Sequence, residues 1–93
     1  MSLEQLVTKY INSAKHVFEH MGMVHASMTV DVDRVRQVVE YARNYLNDSE
    51  HYREKKKFEV SLTSVAYCEG LLDALRLLGA VRFEWPKTKK SEN

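Results

Sequence analysis

Three groups of side chains are spaced so that they could do chemistry. His16-Val17-Phe18-Glu19-His20 has the H-x-x-E-H spacing of inverted zinc peptidases, where imidazoles on adjacent turns share a metal and the Glu serves as base. Glu69 and Asp73 stand four apart, with Arg76 three beyond, a set that could move protons or hold a cation if it converged on a pocket. Arg53, Lys55, Lys56 and Lys57, with Lys87, Lys89 and Lys90 near the C-terminus, could contact phosphates. Cys68 is the single cysteine, so no internal disulfide can form, which fits a reducing cytosol.

What these groups can do depends on the elements that carry them. Leu3, Leu6, Val7, Tyr10, Ile11, Ala14, Val17, Phe18 and Met21 keep an unbroken three-four spacing, one apolar face of a helix over about 3–21. Ser2 caps it, Gln5 completes a capping box, and Gly22 is placed to end it in the left-handed conformation. Residues 23–30 carry no stripe and form a connection. Asp31 then reads as an N-cap, with Asp33 favoured by the helix dipole and Val30 and Val35 placed for a hydrophobic staple. Val32, Val35, Val38, Val39, Ala42, Tyr45, Leu46, Ser49 and Tyr52 continue the period to about 55; the valines are mediocre helix formers, so this helix leans on packing.

The stripe loses its apolar members after Tyr52, and a new phase starts at Phe58. One helix from Val32 to Gly79 would run roughly 70 Å, too long for the first helix to cover. A tight helical hairpin at Lys55–Lys57 is therefore expected, with a third helix over about 58–78 closed by Gly79. On it Val65, Cys68, Leu72 and Leu75 lie together, and Val60, Tyr67, Leu71, Ala74 and Leu78 widen that arc to about half the circumference at ~100° per residue. Such an arc calls for two neighbours, which the other two helices can supply. The expected fold is all-α, an up-down-up three-helix bundle, with residues 1–85 as one helical domain and 86–93 as a flexible basic tail.

These placements weigh against catalysis. Burying Ala14, Val17, Phe18 and Met21 turns His16, Glu19 and His20 to solvent, and a peptidase needs a third ligand and a cleft. No metal site is therefore assigned to them, and no cofactor is expected. The basic residues are interleaved with Glu50, Glu54, Glu59 and Glu92, and the net charge is +1, so a solvated turn and tail explain them better than nucleic acid does. Glu69, Asp73 and Arg76 read first as a surface ion-pair ladder, although Leu71, Leu72, Ala74 and Leu75 place Asp73 at the rim of the apolar arc. Tyr67, Gly70 and Ala74 share an edge of the third helix. An internal Gly costs about 1 kcal/mol against Ala, which points to close approach of another helix, from the same chain or a second subunit. Tyr41, Tyr45 and Tyr52 form a second aromatic edge, and Phe83 and Trp85 either dock back on the bundle or present an exposed anchor. No apolar run approaches the roughly 20 residues that cross a bilayer, so the chain is read as cytoplasmic with no membrane contact.

Ser64, Tyr67, Gly70, Leu72, Asp73, Ala74 and Gly79, with Asp48 and Tyr52 upstream, resemble the S-x-x-Y-x-x-G-x-L-D-A pattern and closing Gly of an archaeal family, domain of unknown function 357. The match is clear over about 47–79, with Lys56-Lys57 standing where the family usually has Gly-Asp in the turn. The resemblance implies a compact three-helix bundle, an archaeal cytosolic source and, because some relatives carry the module beside a nucleotidyltransferase-like domain, an accessory role. It carries over no catalytic residue.

The leading functional reading is a non-enzymatic helical interaction module, self-associating as a homodimer or accessory to a nucleotide-handling partner. Tyr67, Gly70, Asp73 and Ala74 are its interface candidates, followed by Glu69, Arg76 and Trp85. The alternatives are a small ligand-binding or enzymatic bundle using Glu69, Asp73 and Arg76, and a weak nucleic-acid binder using the Lys-rich hairpin and tail.

Overall fold

The computed structural model of the chain describes residues 1–87; Lys89, Lys90 and Glu92 of the expected tail lie outside them. It is all-α, with α1 at Leu3–His20, α2 at Val32–Glu54 and α3 at Phe58–Leu77, each within a residue of its sequence-based bounds.

The starts and stops have local causes. Ser2 and Gln5 form the expected reciprocal box, Gln5 N–H donating to Ser2 Oγ at 3.1 Å and Ser2 N–H to Gln5 Oε1 at 2.9 Å. Asp31 Oδ1 accepts from Asp33 N–H at 2.9 Å to open α2. The end of α1 corrects the expectation for Gly22, which is not left-handed: the chain leaves the helix in extended backbone at Met21, φ −78° and ψ 144°. An extended exit sends the following residues away from α1, with no helix over residues 21–31.

α2 and α3 end in the same way. Gly79, at φ 80°, donates to Arg76 O and Ala80 to Leu75 O, the paired bonds of a Schellman motif. At the hairpin Lys56 donates to Arg53 O and Lys57 to Tyr52 O, and Lys56 takes the left-handed position at φ 61°. The turn expected at Lys55–Lys57 thus forms without glycine. Lys57 gives α3 no side-chain cap.

The hairpin folds α2 and α3 against each other as the molecule's packed unit. Its seam runs along Val35, Val38, Ala42, Tyr45, Ser49 and Tyr52 on α2, an a/d-type spacing met on α3 by Ser61, Ser64, Cys68, Leu71 and Leu75. Ser49 and Ser61, both buried, lock the register: Ser49 Oγ–H donates to the Ser61 carbonyl at 2.8 Å and Ser61 Oγ–H to the Ser49 carbonyl at 2.7 Å. At equal steps from that crossing Ala42, only 2% exposed, reaches the level of Cys68, and Val35 that of Leu75. Two of these three pairs, Ser with Ser and Ala with Cys, are of small side chains, which lets the helices approach closely.

α1 departs from the expected packing. No residue of it is buried. Its approach to the hairpin is loose: Leu3, Leu6 and Tyr10 face Val60, Thr63, Ser64 and Tyr67 across a cleft of about 560 Å³, and Val7, Ile11 and Ala14 border a second gap against Thr63. The half-circumference arc of α3 consequently has one close neighbour rather than two. α2 covers Ser61, Cys68 and Leu75, while Val60, Tyr67, Ala74 and Leu78 on the other edge stay exposed. Among the described residues no helix is long and apolar enough to cross a membrane.

Candidate functional site

Two surfaces contain the candidate residues, and α3 carries both. The first is polar. The left-handed turn at Gly79 reverses the chain, so residues 80–85 run back over the last turns of α3. Trp85 Nε1–H then donates to Asp73 Oδ1 at 2.9 Å. Arg76 donates to the same oxygen from Nε at 3.2 Å and from Nη2 at 3.0 Å. The Arg76 guanidinium lies 5.7 Å from the Phe83 ring centroid, and Phe83 meets Trp85 edge-on at 4.9 Å. Phe83 and Trp85 therefore dock on α3 instead of standing free. Asp73 is the bracket that holds them.

The electrostatics follow from that geometry. The Trp85 N–H and the Arg76 guanidinium hold the Asp73 carboxyl below the usual carboxylate range. Glu69, expected to work with Asp73, makes no hydrogen bond or ion pair among the described residues; its charge adds to the burial that pushes the Cys68 thiol up. A thiol in that state is a poor nucleophile, and Cys68 serves the seam.

The second surface is apolar. Tyr67, Gly70 and Ala74, as expected, share one strip of α3, and Val60, Thr63 and Leu78 prolong it in both directions. Its N-terminal end borders the cleft with α1, where Tyr67 meets Tyr45 edge-on at 4.4 Å. Its C-terminal end is open: a Cβ added to Gly70 would meet nothing within 4 Å, and Leu78 is 76% exposed. Among the described residues, then, no helix packs against Gly70. α1 carries a matching apolar face, with Val17, Phe18 and Met21 all exposed, Phe18 at 74%.

The remaining candidates lie apart from both surfaces. His16 and His20 stack with ring centroids 4.2 Å apart, and Nδ1–H of His20 donates to the His16 carbonyl at 2.8 Å. Among the described residues no three His, Cys, Asp or Glu side chains converge to hold a metal ion. Arg53, Lys55, Lys56 and Lys57 are exposed at the hairpin end. Sequence reasoning did not single out Ser61; a small polar residue in register with the seam of a helix, facing Ser49 across a tight hairpin, is the signal that identifies it.

No curated protein and no solved structure matches the chain. A family match covers residues 9–81, from the middle of α1 through the left-handed turn at Gly79, and takes in the seam serines, the Tyr67–Gly70–Ala74 strip and the Asp73 bracket. The chain belongs to the family described as protein of unknown function DUF357.

Proposed function

We propose that this protein is a helical interaction module that works by docking an apolar surface, with no catalytic step of its own. One observation carries the reading. The chain exposes 8526 Å² for 10.9 kDa, where a compact monomer of that mass exposes about 5,600 Å². Granting residues 88–93 the full allowance of an extended chain, about 1,000 Å², roughly 1,900 Å² of surplus remains. The radius of gyration agrees, at 16.3 Å against about 12 Å for a compact domain of this length. Exposed apolar side chains run along α1 (Val7, Ile11, Val17, Phe18), through the connection (Met23, Val24, Met28) and onto the outer strip of α3 (Tyr67, Leu78), and a contiguous exposed apolar face of this kind marks an interaction site. The polar groups support the same reading, because Asp73 is engaged by both Arg76 and Trp85 and Glu69 does not join them.

Site-specific photo-cross-linking in cells that make the protein tests it. A cross-linker at Phe18 or Leu78 should give a discrete adduct, identified by mass spectrometry, whereas one at Asn12 on the polar side of α1 should give none. Absence of adducts at both apolar positions, or equal adducts at Asn12, would overturn the reading.

A further inference from the structure

We infer that the occupant of this surface is a second copy of the same chain, the C-terminal half of each α1 lying along the outer strip of the partner's α3. The inference rests on the interaction reading above and names its partner.

The surfaces match in kind. Val17 and Phe18 line the uncovered C-terminal end of α1, and Met21 continues the exposed apolar surface just past it. The uncovered part of α3, Gly70 to Leu78, spans about 12 Å at about 1.5 Å per residue. Large side chains therefore face small ones: Phe18 on α1, and Gly70 and Ala74 on α3. That is the complementarity that lets two helices approach closely, and it accounts for an internal glycine whose own chain leaves it in open space. The area fits as well. The surplus of roughly 1,900 Å² per chain, which includes the exposed connection 21–31, leaves room for the roughly 1,000 Å² that one subunit hides in an obligate homodimer at the small end of the range.

A two-fold arrangement satisfies both surfaces at once, because each chain offers one α1 face and one α3 strip to the other. The residues 21–31 contain no helix and could extend over about 36 Å, so α1 has the freedom to seat on a neighbour. With a net charge of +1, two copies come together without appreciable repulsion. The contact would add α1 as the second neighbour that the α3 arc lacks within one chain.

Sedimentation equilibrium of the whole chain from 1 to 200 µM provides the test, with Phe18→Asp and Gly70→Leu as variants. Wild type should sediment at twice 10.9 kDa. Phe18→Asp should raise the dimer dissociation constant at least about 100-fold, because an aromatic is lost from two equivalent contacts. Gly70→Leu should dissociate the dimer comparably while leaving the helical circular dichroism intact, since a Cβ at this position meets nothing of its own chain within 4 Å among the described residues. A wild-type monomer across the range overturns the inference, and so does a dimer indifferent to both substitutions. A monomer that nevertheless cross-links through Phe18 to a different protein overturns the self-association and leaves the interaction reading standing.

Discussion

Replacing Lys56 with glycine should stabilise the protein by relieving the backbone at the hairpin. Lys56 occupies the left-handed position of a Schellman motif at φ 61°, while the same motif at the end of α3 uses Gly79 at φ 80°. The left-handed conformation costs an L-residue roughly 1–2 kcal/mol, and glycine gives back roughly 0.5–1 kcal/mol through the greater freedom of its unfolded chain. The net gain for Lys56→Gly is then about 0.5–1 kcal/mol, a rise in Tm of about 2–8 °C for a domain of this size. Thermal unfolding followed by circular dichroism at one fixed protein concentration measures it, since the proposed self-association would make Tm concentration-dependent. Lys56→Ala separates backbone from charge: it removes the ammonium near Arg53, Lys55 and Lys57 but keeps the Cβ, and should give little of the gain. Gly79→Ala is the mirror control. Its new Cβ would meet nothing within 4 Å, so a loss of about 1 kcal/mol or more would be backbone alone. The reasoning is refuted if Lys56→Gly gives no rise, or if Lys56→Ala stabilises as much as Lys56→Gly.

The other predictions concern the seam, the docked C-terminal segment and the thiol. Ser49→Ala should cost about 1 kcal/mol for one buried hydrogen bond, and Ser49→Val should cost about 1–3 kcal/mol by forcing the helices apart; urea denaturation that finds the two alike would mean the serines do not set the approach. Trp85 is the sole tryptophan, so its fluorescence reports directly on docking. Because its N–H and Arg76 lower the Asp73 pKa, that stabilisation is full above about pH 4 and is lost as pH falls through the folded-state value. Emission should shift red in acid with a midpoint below the ordinary Asp range, a transition that Asp73→Asn should abolish. Cys68 has a raised pKa, so the native thiol should label far more slowly at pH 8 than the same chain in denaturant, and its contribution to stability should fall as pH rises above about 8.5. Equal labelling rates in the two states would contradict its burial.

What could be read in the sequence depended on how local each signal was. Ser2 with Gln5, Asp31 and Gly79 announce helix ends because a cap acts within one turn, and the structure uses all three. Gly22 misled for the same reason: a glycine permits a left-handed stop but does not require one, and the chain exits α1 in extended backbone. The Lys56 turn was placed by the change of apolar phase from Tyr52 to Phe58, although no turn residue marks it. The docking of Trp85 on Asp73 could be posed only as an alternative, because a contact made across a chain reversal leaves no periodicity to read. The Ser49–Ser61 pair lay hidden on one side: Ser49 sat visibly in phase with the α2 seam, but its partner is known only once the hairpin fixes the register.

The packing of α1 shows where such reading stops. Its period states that one face must leave water, and nothing in that period says which surface receives it. A third helix laid fully against the hairpin would satisfy the pattern, and so would a helix shared with a neighbour. The proposed dimer chooses by matching Phe18 to Gly70, which the sequence shows only as a large apolar residue and an unexplained glycine far apart in the chain. In the folded chain the two are exposed and unpartnered together, α1 standing off while Gly70 faces open space. If α1 had closed on its own hairpin, Gly70 would be explained internally and the surplus surface would vanish. Because neither happens, the face that the period of α1 demands be covered is free to meet the strip that Gly70 keeps flat.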